Sequence, residues 1–273
     1  MTGFPLRPRG NTTCALRAFG VVEATPETLT ALRKKPGPDG SLPMPAHLLN
    51  HADDQTVVAL AAVLHAIHDA RLSTELFSDW AVLGAPRFPG RVSFSSSLDK
   101  FRRSGSLSVS PLIIPFQSLH VVSSMISLAL QIHGPSMGVG GGSDGFVQAL
   151  LAGLALQQEQ NVSGVWVVAT GWDPEIVPET ESHTHQPVCR AAALALLPAT
   201  AGARGSHLRL VPRTDFGAQA SAAPSLRELV RFLTAQATIN PLRRWSCPVN
   251  RDFNLEMSVE NTAAEVSRHA RSA

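Results

Sequence analysis

Between residues 104 and 158 the chain carries a single charged side chain, Asp144, although 16% of all its residues are charged. Helices and strands at a surface normally show a charged face, so this stretch is predicted to be the buried centre of the fold. Within it Phe116, Leu119, Val122, Met125, Ile126, Leu128 and Ala129 recur at helical spacing. They predict a helix over 116–132, with Pro115 at its start. His133-Gly134-Pro135 ends that helix, residues 136–140 read as a short strand, and Gly140-Gly141-Gly142 reads as a tight turn. Ser143 or Asp144 then caps a second helix to about residue 158, with Phe146, Leu150 and Leu154 on one stripe.

The rest of the chain alternates strands with helices. Residues 14–22 read as a first strand and 26–35 as a short helix opened by Thr25, and 36–45 form a Gly- and Pro-containing loop. The clearest amphipathic helix covers 53–72, with Val57, Leu60, Ala61, Leu64 and Ile67 on one face. Residues 80–83 are a buried strand and 95–103 a short surface helix. Residues 164–170 form a strand apolar on both faces, as a sheet covered by helices requires. Two further strands follow over 188–197 and 207–211, then a linker over 215–225, a helix over 226–235 and an edge strand over 252–259. The last dozen residues are expected to fray. The class is α/β.

Composition narrows the field. A chain of 273 residues with a formal charge of +2 and dispersed Lys and Arg shows no basic run for nucleic acid. Prolines and glycines interrupt every apolar run of the central stretch well short of the roughly 20 residues of a membrane span. The N-terminus lacks the apolar core of a signal peptide, so a cytoplasmic location is the expectation. Cys14, Cys189 and Cys247 are odd in number and form no CxxC, which argues against a disulfide framework and a zinc ribbon.

Candidate chemistry gathers at the glycine turn. Gly140, Gly142 and Gly145 match G-x-G-x-x-G between a strand and a helix, but no acid follows about twenty residues on, so no dinucleotide cofactor is expected. Residues 141–145 also match G-x-S-x-G, which would expose the Ser143 hydroxyl as a nucleophile; alternatively, Ser143 or Asp144 only caps the helix. His120 and His133, in the uncharged stretch, are candidate bases or core histidines. His183 and His185, with Glu179 and Glu181, read as a solvated loop, and His65 and His68 lack a third ligand, so no metal is expected.

The run Val109-Ser110-Pro111-Leu112-Ile113-Ile114-Pro115, a buried helix, His133-Gly134-Pro135-Ser136, a short strand and a turn into another buried helix resemble the N-terminal half of β-ketoacyl synthases. The resemblance covers roughly residues 12–212. It implies a thiolase-like fold built as a single N-terminal-type half over 1–212, with a C-terminal extension over 213–273. Counted from Gly134-Pro135, the position of that family's nucleophilic cysteine falls on Ser143, and after Val211 the histidine motifs and glycine-rich segment of condensing enzymes have no counterpart. The resemblance therefore implies a non-condensing relative in fatty-acid or polyketide-type biosynthesis. By analogy with chain-length factors, its partner would be an active ketosynthase, an acyl carrier protein or a second copy of itself. Gly140, Gly141, Gly142, Asp144 and Phe146 would then line the turn or an acyl site. The alternative is an acyltransferase or thioesterase using Ser143.

Overall fold

The computed structural model describes residues 12–38, 45–158, 162–177, 186–199, 205–213, 225–235 and 242–260. The solvated-loop residues Glu179, Glu181, His183 and His185, the 215–225 linker up to Pro224 and the chain end lie outside them, as does most of the 36–45 loop. The elements run β1 (Thr13–Ala24), α1 (Pro26–Lys34), α2 (Ala46–His51), α3 (Asp54–Ala70), β2 (Ala81–Pro86), α4 (Arg91–Ser104), α5 (Ile113–Gln117) and α6 (Val121–Leu130). They continue with β3 (Ser136–Gly138), α7 (Gly145–Gln158), β4 (Val165–Asp173), β5 (Val188–Pro198), β6 (His207–Pro212), α8 (Leu226–Thr234), β7 (Leu242–Pro248) and β8 (Phe253–Glu260).

One 8-stranded sheet organises them in the order β3-β2-β4-β5-β1-β6-β8-β7. The first three strands are parallel and every other pairing is antiparallel. Strand period sends alternate residues to opposite faces. Trp166 and Val168 of β4 therefore join a core with α1, α3 and α6, while Val165, Val167 and Ala169 join one with α7 and α8. Both faces are covered, which is why β4 is buried through Trp172.

Helix α3 lies directly on β1. A Cβ on Gly20 would stand 2.0 Å from the Ala62 carbonyl oxygen and 2.8 Å from the Ala66 nitrogen, so only glycine fits there. The alanines of β5 and α3 serve the same close approach. Asp53 begins α3 by accepting the Thr56 backbone N–H at 2.7 Å, which satisfies one of the free donors of the first turn. Ser225 and Glu228 form a reciprocal capping box at the start of α8.

Four expectations change. The helix over 116–132 is two helices, because Ser118 is extended and the chain turns through Leu119 and His120 to enter α6. Pro115 falls within the first turn of α5, where no backbone donor is needed. The surface helix begins at Arg91 rather than 95. The strand over 252–259 is not the edge: β7, which the sequence reading missed, pairs outside it. Finally, within the uncharged stretch burial is concentrated in α6 and α7, and the residues before Val121 are exposed or half-buried. Leu107 is 100% exposed, Ile114 70% and Leu112 48%, so lack of charge there marks an open apolar surface.

Candidate functional site

The turn between β3 and α7 stands at the carboxyl end of the three parallel strands. Gly140 and Gly141 take φ values of 79° and 104°, the left-handed region that side chains avoid. A Cβ on Gly140 would lie 2.4 Å from the Gly145 Cα, so the turn folds back onto the start of α7. Backbone bonds fix it: Val139 N donates to the Gly84 oxygen at 2.8 Å and Phe88 N donates to the Gly141 oxygen at 2.9 Å.

Asp144 occupies the cap of α7 through its carbonyl, which accepts from Val147 N and Gln148 N. Its carboxylate instead receives the Gln148 Nε2 at 2.8 Å. Ser143 is exposed beside it, and among the described residues its hydroxyl makes no hydrogen bond. Its position is just before the start of α7, the positive end of that helix. Phe146 is buried, its ring 6.3 Å from that of Trp245, and so belongs to the core between α7 and β7.

The two histidines part company. His120 Nδ1 accepts the Gly138 N–H at 3.1 Å, so its lone pair there is engaged and the neutral ring carries its proton on Nε2. This bond ties the α5–α6 corner to β3, on the same side as the turn. His133 precedes β3, where its N–H bonds the Ser78 oxygen, and its side chain lines a separate surface pocket with His68 and Glu75. The strand thus separates His133 from Ser143. No thiol lies in residues 104–158. The three cysteines are free and buried, and burial pushes the Cys14 and Cys247 thiols up to about 12 and about 11, and that of Cys189 well above its ordinary value.

Helix α4 and residues 106–114 present Phe94, Leu98, Phe101, Leu107, Leu112 and Ile114 to solvent. The sheet edge at β3 is unpaired on its outer side among the described residues. The lack of charge predicts Leu107, Leu112 and Ile114 to be buried, whereas Leu98 and Phe101 are expected on a surface helix, as found. Among the described residues, no three His, Cys, Asp or Glu side chains are grouped to hold a metal ion, and no helix is long and apolar enough to cross a membrane.

This sheet and its helix order define a thiolase-like fold, that of ketosynthases and chain length factors. The chain is similar to a chain in the complex of the ketosynthase ApeO with its chain length factor ApeC from Xenorhabdus doucetiae. There the TM-score is 0.56 at 15% identity, over 89% of this chain and 98% of that one. The ishigamide ketosynthase/chain length factor matches at TM-score 0.51 and 17% identity, over 73% of this chain and 67% of that one. A chain of the type II polyketide synthase complex AntDE:AntF, an acyl-carrier protein with its ketosynthase, matches at 0.52 and 14% identity. The match there covers 69% of this chain and 63% of the other. No family model matches the sequence, and no curated protein does.

Proposed function

We propose that this chain is a non-condensing, ketosynthase-like subunit that docks an active ketosynthase and shapes its acyl tunnel in fatty-acid or polyketide-type biosynthesis. The observation that carries the reading is the solvent-open row Phe94, Leu98, Phe101, Leu107, Leu112 and Ile114. A contiguous apolar face of this kind is a feature of interaction sites. A partner covering it would gain apolar contact, and the terminal strand β3 offers backbone groups for hydrogen bonds. Two of the similar structures hold a ketosynthase together with a chain length factor, which supports that choice of partner over a second copy.

The chemistry at the turn supports the same reading. A thiolate accepts an acyl group from a thioester at neutral pH because a few per cent of a free thiol ionises unassisted, and a hydroxyl needs a base. Ser143 has a helix terminus beside it, but His120 holds the β3 backbone and His133 stands beyond the strand. The test is incubation with an acyl thioester and, separately, with a serine-directed fluorophosphonate, followed by intact-mass measurement. No adduct is expected. A stoichiometric adduct that disappears in Ser143→Ala would instead establish acyl transfer through Ser143.

A further inference from the structure

Helix α4 buries none of its described side chains. Packing of an apolar face is the usual source of helical stability, so a helix of 14 residues without it lacks a surface to lie against. Phe94, Leu98 and Phe101 recur at i, i+4 and i+7 and form one exposed stripe along it. The Ser108 hydroxyl donates to the Lys100 carbonyl at 3.0 Å, which ties the segment carrying the fully exposed Leu107 to the last turns of α4.

The charge on this helix sets the chemistry of what covers it. Helix α4 holds four of the chain's 23 Lys and Arg residues and one of its 21 Asp and Glu residues, a surplus of three cations. The rest of the chain carries 19 basic against 20 acidic side chains, so the positive formal charge of the whole comes from this helix. Arg91, at its start, already faces Glu175 and the Phe88 ring. Lys100, Arg102 and Arg103 are exposed, and among the described residues none of them makes an ion pair. Arg102 stands one turn beyond Leu98, so the cations border the apolar stripe. The helix dipole favours cations in the last turn, but it does not explain why Asp99 is the only acid between residues 91 and 120.

We propose, resting on the docking reading, that the ketosynthase surface meeting this face has an apolar centre bordered by Asp and Glu side chains, and that Lys100, Arg102 and Arg103 steer the two chains together. The apolar side chains and the cations then do different work. Phe94, Leu98 and Leu107 make the contact that holds the complex and set its lifetime. The three cations act across water during approach, within a screening length of about 8–10 Å at 0.1–0.15 M salt. Association is therefore fast at low ionic strength and slows as salt rises, while dissociation changes little.

The test is surface plasmon resonance of the full chain against a full-length ketosynthase from the same genome, in low and high sodium chloride, about 25 and about 300 mM, on either side of the physiological range. The parent's association rate constant is expected to fall at least about five-fold from the lower to the higher salt. The triple variant Lys100→Gln, Arg102→Gln, Arg103→Gln should associate about ten-fold more slowly at low salt, show a flat salt response and dissociate within about two-fold of the parent. Circular dichroism establishes folding of the variant, and the parent's own salt series decides the question without any substitution. Association insensitive to salt in the parent, or equal in the parent and a folded triple variant, overturns the acidic border and leaves the docking reading standing. No association of the parent with the ketosynthase in either salt overturns both, as does binding to phosphatidylglycerol vesicles in its place.

Discussion

The double variant Leu107→Asp, Ile114→Asp probes the docking face where it is most open. Burying a Leu or Ile side chain fully is worth about 1.5–3 kcal/mol. Leu107 is 100% exposed and Ile114 70%, so a partner that covers both gains nearly the whole of one and about two thirds of the other. Together that is about 2.5–5 kcal/mol, which at 1.4 kcal/mol per decade weakens association from about sixty-fold to a few thousand-fold. Desolvating the new carboxylates adds to the loss. Neither side chain contributes to the monomer's core, so unfolding free energy should stay within about 0.5 kcal/mol of the parent. The assay is fluorescence anisotropy against a full-length ketosynthase from the same genome, paired with urea melts of each variant alone. Unchanged affinity would refute the assignment of this face. A collapse of monomer stability would refute the claim that it is open.

Further outcomes follow from the same structure. Gly20→Ala places a Cβ 2.0 Å from the Ala62 carbonyl, so overpacking of about 1–3 kcal/mol or more should lower the melting temperature by several degrees; an unchanged melt would mean that α3 does not lie on β1 as described. With thiols pushed up to about 12 and about 11, only roughly one Cys14 in ten thousand and one Cys247 in a thousand is ionised at pH 8. Iodoacetamide should therefore label the cysteines only after denaturation, and rapid labelling of the native chain would contradict the burial. Burial raises the Asp53 carboxyl above its ordinary 3.8, so the folded state holds that proton more tightly than the unfolded chain. The group's contribution is greatest below 3.8 and declines as pH rises toward its folded value. Urea melts of Asp53→Asn against the parent should accordingly shift in the variant's favour as pH rises from about 4, and the opposite trend would contradict it.

Much of the scaffold was legible because its signals are local. The stripe of α3, the doubly apolar β4 and the glycine turn each carry their pattern within a few residues. The thiolase-like order was legible as a succession of such pieces. β7 was overlooked because Arg243 and Arg244 disguise it, although Trp245 and Cys247 alternate inward as a strand requires. Residues 104–120 were misread for a physical reason: an uncharged exposed surface and a buried core have the same composition.

The most direct test of the docking account is sedimentation velocity on this chain co-expressed with a full-length ketosynthase from its own genome. A stable one-to-one heterodimer that dissociates when Leu107 and Ile114 are made acidic is the result expected. Separate species at every concentration, with the apolar face intact, would contradict it.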